Sequence, residues 1–125
     1  MKVKCVRLLN ADDKEVESLP WLTVGRIYHV MGISIEPNRG RRYQIISHDR
    51  DPGFATMGYH SADCFEIVSD VIPSNWRVKI YKMSDIDISP AAWQEPGFLE
   101  AFYDADPTAY PIFERERDII LREDP

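Results

Sequence analysis

Cysteine is scarce in this chain of 125 residues: Cys5 and Cys64 are the two it has. They are too few and too far apart for a disulfide framework or a four-thiolate zinc site, so both read as small core or strand residues. Long apolar runs are missing as well. The opening MKVKCVRLLN alternates charge with apolar residues, which excludes the uninterrupted apolar core of a signal peptide, and no later run approaches the length of a membrane span. A soluble, cytoplasmic protein with reduced thiols is expected. No phosphate-cradling loop or dinucleotide fingerprint occurs. A chain of this length makes one domain that buries about two-thirds of its unfolded surface, so no cofactor is needed for a core. Basic side chains are absent from one long stretch, Lys82 to Arg115. Asp85, Asp87, Glu95, Glu100, Asp104 and Asp106 all lie there. The net charge of −6 is therefore uneven. Residues 1–75 hold nine Lys/Arg against ten Asp/Glu, whereas residues 76–125 hold six against eleven. The second half is expected to carry a negative field that repels a nucleic-acid backbone.

What is present begins with WLTVGRIYHV, residues 21–30. Gly25 supplies a permissive turn position, and Ile27, Tyr28, His29 and Val30 then alternate as a strand that runs to about residue 36. Gly32 within it marks a bulge or bend. An opening strand over residues 2–9 precedes it, followed by an exposed loop from Asn10 to Ser18. Pro37-Asn38-Arg39-Gly40 reads as a hairpin turn into a strand over Arg42–Ser47. His48 to Gly53 is a second turn, Phe54–Tyr59 a further strand, Ser61–Cys64 one helical turn, and Phe65–Ser69 a last strand.

Ile72 to Asn75 is the best internal boundary, dividing residues 1–72 from an acidic, aromatic-rich extension over 73–125 that packs on the first part. Trp76, Val78 and Ile80 alternate with Arg77, Lys79 and Tyr81 as a strand, and Asp85 to Ile88 continue the alternation. Ser89-Pro90 reads as a cap and first-turn proline opening a turn over residues 91–93. A helix over about 96–104 follows, with Phe98, Leu99, Phe102 and Tyr103 as its buried stripe. Asp106-Pro107 opens a third helical segment that Pro111 is expected to kink near Tyr110. Ile119 to Arg122 fit either the end of that helix or a strand.

Chemistry is weakly signalled. His60, Asp63 and Cys64, with His48-Asp49 upstream, allow a thiol–imidazole pair to be imagined, but no oxyanion-forming glycine loop surrounds them. Asp85 and Asp87 share a strand face without a third oxygen ligand at loop spacing, so no metal site is expected. No catalytic residue is assigned. The aromatics Trp93, Phe98, Phe102, Tyr103 and Phe113 read as core, or in part as apolar anchors within an acidic rim. Arg39, Arg41, Arg42 and Arg50 make a basic hairpin region that either protects a sheet edge or touches phosphate.

Five short strands with a helical turn before the last describe a small barrel. The strings LTVGRIYHV, RRYQIIS and SADCFEIV resemble small bacterial and phage SH3-like proteins over residues 2–69. The glycine-containing segment PGFATMGYH departs from that pattern. The string SPAAWQEPGFLEAFYDADPTAYPIFERE resembles the tails of small bacterial proteins, some of which look like immunity proteins of toxin–immunity systems. The expected fold is mixed β/α, mainly β: a five-stranded SH3-like barrel followed by a strand and short C-terminal helices packed on it. The expected function is non-enzymatic binding of a basic toxin domain, nuclease-like, through Asp85, Asp87, Trp93, Glu95, Glu100, Tyr103, Asp104 and Asp106. The alternative is a regulatory or nucleic-acid-associated barrel that works through Arg39, Arg41, Arg42 and Arg50.

Overall fold

Lysine alternates with small apolar side chains over Lys2–Cys5, and that period of two makes β1, with Val3 and Cys5 fully buried. The computed structural model describes residues 1–47 and 56–125. Its chain is mixed β/α and mainly β. The opening strand ends earlier than its apolar pattern implies, because the Val6 and Arg7 N–H groups both turn to the Cys64 carbonyl. Leu8–Leu9 (β2) instead pairs with Glu15–Val16 (β3) as a small hairpin inside the expected loop. Asn10 organises its turn: its Oδ1 accepts from the Asp12 and Lys14 N–H groups at 2.9 and 3.1 Å.

Gly25, at φ +92°, donates its N–H to the Cys5 carbonyl and starts β4, Ile27–Glu36. One edge of β4 serves two neighbours. Residues 27–29 pair with β1, and Ile33–Ile35 pair with a strand from the extension. The other edge carries β5 (Gly40–Ser47), which pairs in turn with β6 (Thr56–Ser61). The expected bulge lies between Val30 and Gly32. Space is tight there, since a Cβ would stand 3.0 Å from Gln44 Oε1 and 3.1 Å from the Ile88 carbonyl. A single 3-10 turn, Ala62–Cys64, begins with Ser61 Oγ accepting from the Asp63 N–H, and leads into β7 (Phe65–Ser69), which pairs with β1. The strand order β6-β5-β4-β1-β7 is open.

Residues 76–90 form a hairpin, one strand more than expected. β8 (Trp76–Ile80) and β9 (Ile86–Pro90) pair antiparallel, and β9 joins the outer half of β4. Ser84, at φ +66°, closes the three-residue turn, with Tyr81 N–H to the Asp85 carbonyl at 2.8 Å. Pro90 rather than Ser89 precedes the next 3-10 turn, Ala91–Gln94, and no side chain caps it. Gly97, at φ +82°, delays α1 to Phe98–Tyr103, shorter than the helix that the aromatic spacing implies. α2 runs from Ala109 to Glu123, so Ile119 to Arg122 are helical. Because α2 starts at Ala109, Pro111 sits in the first turn, where no intrahelical N–H bond is lost, and the expected kink has no cause there.

Two groups of side chains make the core. In the strands, Phe65 lies 5.8 Å from Tyr43 and 6.4 Å from Tyr28 between ring centres, beside Val3, Cys5 and Ile45. In the extension, Phe113 is fully buried against Phe102 (4.5 Å), Trp93 (5.4 Å) and Tyr110 (5.7 Å). Met31 and Ile46 of the sheet and Arg117 and Leu121 of α2 line one depression of about 430 Å³ between the two layers. The end of the chain ties them further. Asp124 Oδ2 accepts from Ser69 Oγ at 2.7 Å and meets the Met1 amino group at 3.0 Å, while the Asp124 carbonyl stands 2.7 Å from His29 Nε2. Glu123 accepts from the Ser74 N–H and hydroxyl, and Asn75 Nδ2 reaches Glu116. Among the described residues no helix is long and apolar enough to cross a membrane.

Candidate partner-binding face

Strand register places polar side chains of five strands on one face of the sheet. Ser61, Arg42, Ser34, Asp87 and Lys79 form one cross-strand row, and Tyr59 stands opposite Gln44 in the next. Tyr103 reaches this face from the end of α1, its hydroxyl donating to the Met57 carbonyl at 2.9 Å while the residue stays 53% exposed. Burial, then the charges of Asp87 and its neighbours Tyr103, Tyr81 and Glu36, push the Tyr59 hydroxyl far above its ordinary value. The Asp87 carboxyl is also raised, by burial, against the opposing hydrogen bond from Ser89 Oγ (3.2 Å) and the charge of Lys79. Tyr103 is raised by burial. Tyr59 thus stands within the field of two further tyrosine hydroxyls and two carboxylates.

Of the residues expected to bind a partner, Asp85 and Asp87 lie on β9 and its turn, and Tyr103 closes over the same face. Glu95, Glu100, Asp104 and Asp106 are exposed along the stretch from the 3-10 turn to the start of α2. Among the described residues, no ion pair engages Asp85, Glu95, Glu100 or Asp104. Asp106 is held by its own loop: it accepts from the Thr108 N–H (2.9 Å) and Oγ1 (2.7 Å), which lowers its carboxyl below the usual value. Trp93 has to be withdrawn from the surface. It is 3% exposed and stacks on Phe113 and Phe98, because the turn at Ala91–Gln94 folds its ring inward.

Arginines of the hairpin do not make one basic patch. Strand alternation sends Arg41 and Arg42 to opposite faces. Arg39 pairs with Glu36 at 3.6 Å, and Arg41 lies 5.6 Å from the Tyr43 ring centre. Arg50, with His48, Asp49 and Phe54, lies outside the described residues.

Of the thiol–imidazole set, His60 and Cys64 share a cleft of about 280 Å³ that Asn10, Asp13, Trp21 and Arg42 also line. Burial and then the Arg42 charge lower His60 to about 4, and burial raises the Cys64 thiol. Both shifts work against a thiolate–imidazolium pair. Cys5 and Cys64 are buried, free thiols, and Cys5 is opposite Phe65 where β1 meets β7. Among the described residues no group of three His, Cys, Asp or Glu side chains stands close enough to hold a metal ion.

Glu36, Tyr59 and Tyr81 were not anticipated as members of the face. Their positions follow from pairings between strands distant in sequence, and only the alternation within each strand was visible beforehand. Set beside family models, curated proteins and solved structures, the chain matches none of them.

Proposed function

We propose that this protein is a non-enzymatic, protein-binding inhibitor whose partner is a basic toxin domain, nuclease-like in charge, so that it acts as an immunity protein. The observation that carries this reading is the set of acidic side chains left without ion pairs beside exposed tyrosine. α2 pairs Glu114 and Asp118 with Arg117, whereas among the described residues the exposed Glu95, Glu100 and Asp104 and the half-buried Asp85 have no ion-pair partner. A field of one sign accelerates encounter with a cationic cleft, and Tyr103 supplies an amphipathic anchor within that rim. An SH3-like barrel for the first part has support from β1 standing between β4 and β7, from the β4-β5-β6 meander and from the 3-10 turn before the last strand. The nucleic-acid reading has less support, because Arg39 and Arg41 already have partners within the chain.

The test measures association with a panel of basic microbial nuclease domains by surface-immobilised kinetics. Replacing Glu95, Asp104 and Asp106 together with Lys is expected to slow association by about tenfold or more at low salt. That difference shrinks as the screening length falls from about 10 Å at 0.1 M to about 3 Å at 1 M. Asp106→Asn removes a charge while keeping the turn. Association that is unchanged at every salt concentration, or a folded protein that prefers heparin to every basic protein, sinks the reading.

A further inference from the structure

β8 is an edge strand with its apolar side uncovered. The bond from Tyr81 N–H to the Asp85 carbonyl sets the phase of the hairpin ladder. Residues 77 and 79 therefore bond to β9, and Val78 and Ile80 turn their N–H and C=O groups outward. The side chains of the same two residues are 63% and 71% exposed. They extend two aliphatic rows that run inward across the sheet, Val78–Ile88–Ile33 and Ile80–Ile86–Ile35. The opposite face of β8 carries Arg77 and Lys79. Among the described residues neither has a carboxylate within ion-pair distance: Arg77 donates to the Ser74 and Trp76 carbonyls and Lys79 to the Gln94 carbonyl.

We infer that β8 accepts an additional β-strand from a partner protein, and that this strand alternates aliphatic with acidic residues. A second copy of this chain is disfavoured as the occupant. Antiparallel registers that set Val78 against Val78, or Val78 against Ile80, bring Arg77 onto Lys79 or Lys79 onto Lys79, and like charges directly opposite each other repel. The pattern that satisfies β8 is already visible on its inner side. There β9 sets Asp87 opposite Lys79, Ile86 opposite Ile80 and Ile88 opposite Val78. An incoming strand of the same pattern fills the outer ladder, covers the two aliphatic ends and gives the two cations carboxylate partners. Main-chain bonds supply affinity and the alternation supplies choice, as in strand addition generally. This edge borders the acidic stretch but does not rest on the toxin-binding reading.

The experiment uses the full chain and a synthetic peptide of sequence Asp-Ile-Asp-Ile-Asp-Ser with blocked ends, followed by amide NMR and hydrogen exchange. Saturating peptide is expected to slow exchange of the Val78 and Ile80 amides by about tenfold or more. A peptide of the same composition with adjacent isoleucines, and one with Lys in place of Asp, should bind at least about tenfold more weakly. Val78→Asp with Ile80→Asp, both exposed positions, should abolish binding while leaving the amide spectrum of the rest of the chain in place. Equal binding of the rearranged peptide, protection that appears elsewhere than β8, or no binding at all overturns the inference. So does a stable dimer in sedimentation that protects these same amides.

Discussion

The two cores of this protein are built on different physical terms. In β1, β4, β5 and β7 the buried residues are aliphatic side chains, Met31, Cys5, Gln44 and single rings, and the register of hydrogen bonds decides which face each one reaches. In the extension, short helical pieces surround one ring, Phe113, with three others within 5.7 Å, so large flat surfaces rather than a ladder decide the packing. Charge separates the two regions as well. Arg39 of the hairpin and Arg115 and Arg117 of α2 pair with carboxylates of their own segments, while Glu95, Glu100 and Asp104 leave theirs to solvent. A region whose core is set by a few rings leaves its outer positions free to carry one sign of charge.

The largest expected effect tests the ring-centred core directly. Phe113→Ala removes the fully buried hub and should lower stability by about 3–5 kcal/mol, against about 1 kcal/mol for Ile45→Val in the strand core. Urea unfolding followed by tryptophan fluorescence and by far-UV circular dichroism reads both. Coincident loss of both signals in Phe113→Ala would show that the helices and the strands unfold together, as the Asp124 and β9 links require. A fluorescence transition that precedes loss of the sheet would separate the two regions.

Next in size is the seam where β4 meets β5 and β9. Gly32→Ala forces a Cβ into 3.0–3.1 Å contacts with Gln44 Oε1, the Ile88 carbonyl and Ser89 Cβ, and should lower stability by about 1–3 kcal/mol. Gly58→Ala, whose nearest contact is 3.4 Å from His60 Nε2, is the milder companion. Equal midpoints for the two variants would mean that the sheet junction yields easily.

Two titrations sharpen the comparison on the acid side, and in both stability falls as the pH is lowered. His60 is lowered to about 4 in the folded chain, so the unfolded chain binds the proton first. Its contribution is present above the unfolded value near 6.5 and is lost toward pH 4, with a slope of up to about 1.4 kcal/mol per pH unit. His60→Gln should flatten that limb. Asp124 is lowered chiefly by the Ser69 hydroxyl, so its contribution is present above about pH 4 and is lost as the pH falls through the folded value. Asp124→Asn should lower stability at neutral pH by about 1–2 kcal/mol and flatten the curve below pH 4 while sparing the limb above it. A variant in either pair that leaves its own limb unchanged would show that the assigned bond does not hold in solution.

Local pattern made much of this molecule legible. The turn at Gly25, the bulge at Gly32, the single turn at Ala62–Cys64 and the strand at Phe65–Ser69 follow from steric freedom and alternation that act over a few residues. The strand-forming character of Trp76–Ile80 and of Ile86–Ile88 was legible in the same way, as was the concentration of acid between Lys82 and Arg115. Other features depended on partners far along the chain. Val78 and Ile80 alternate as core residues do, yet they lie at a sheet edge that nothing within the described chain covers. Trp93 resembled an interface anchor until the turn beneath it folded its ring onto Phe113. Asp87 comes onto the face of Tyr59 only because β9 pairs with the outer half of β4, and Tyr103 because its hydroxyl reaches the Met57 carbonyl of β6. Alternation determines which side chains share a face of one strand; which strands lie side by side, and what covers each face, is decided by burial summed over the whole fold.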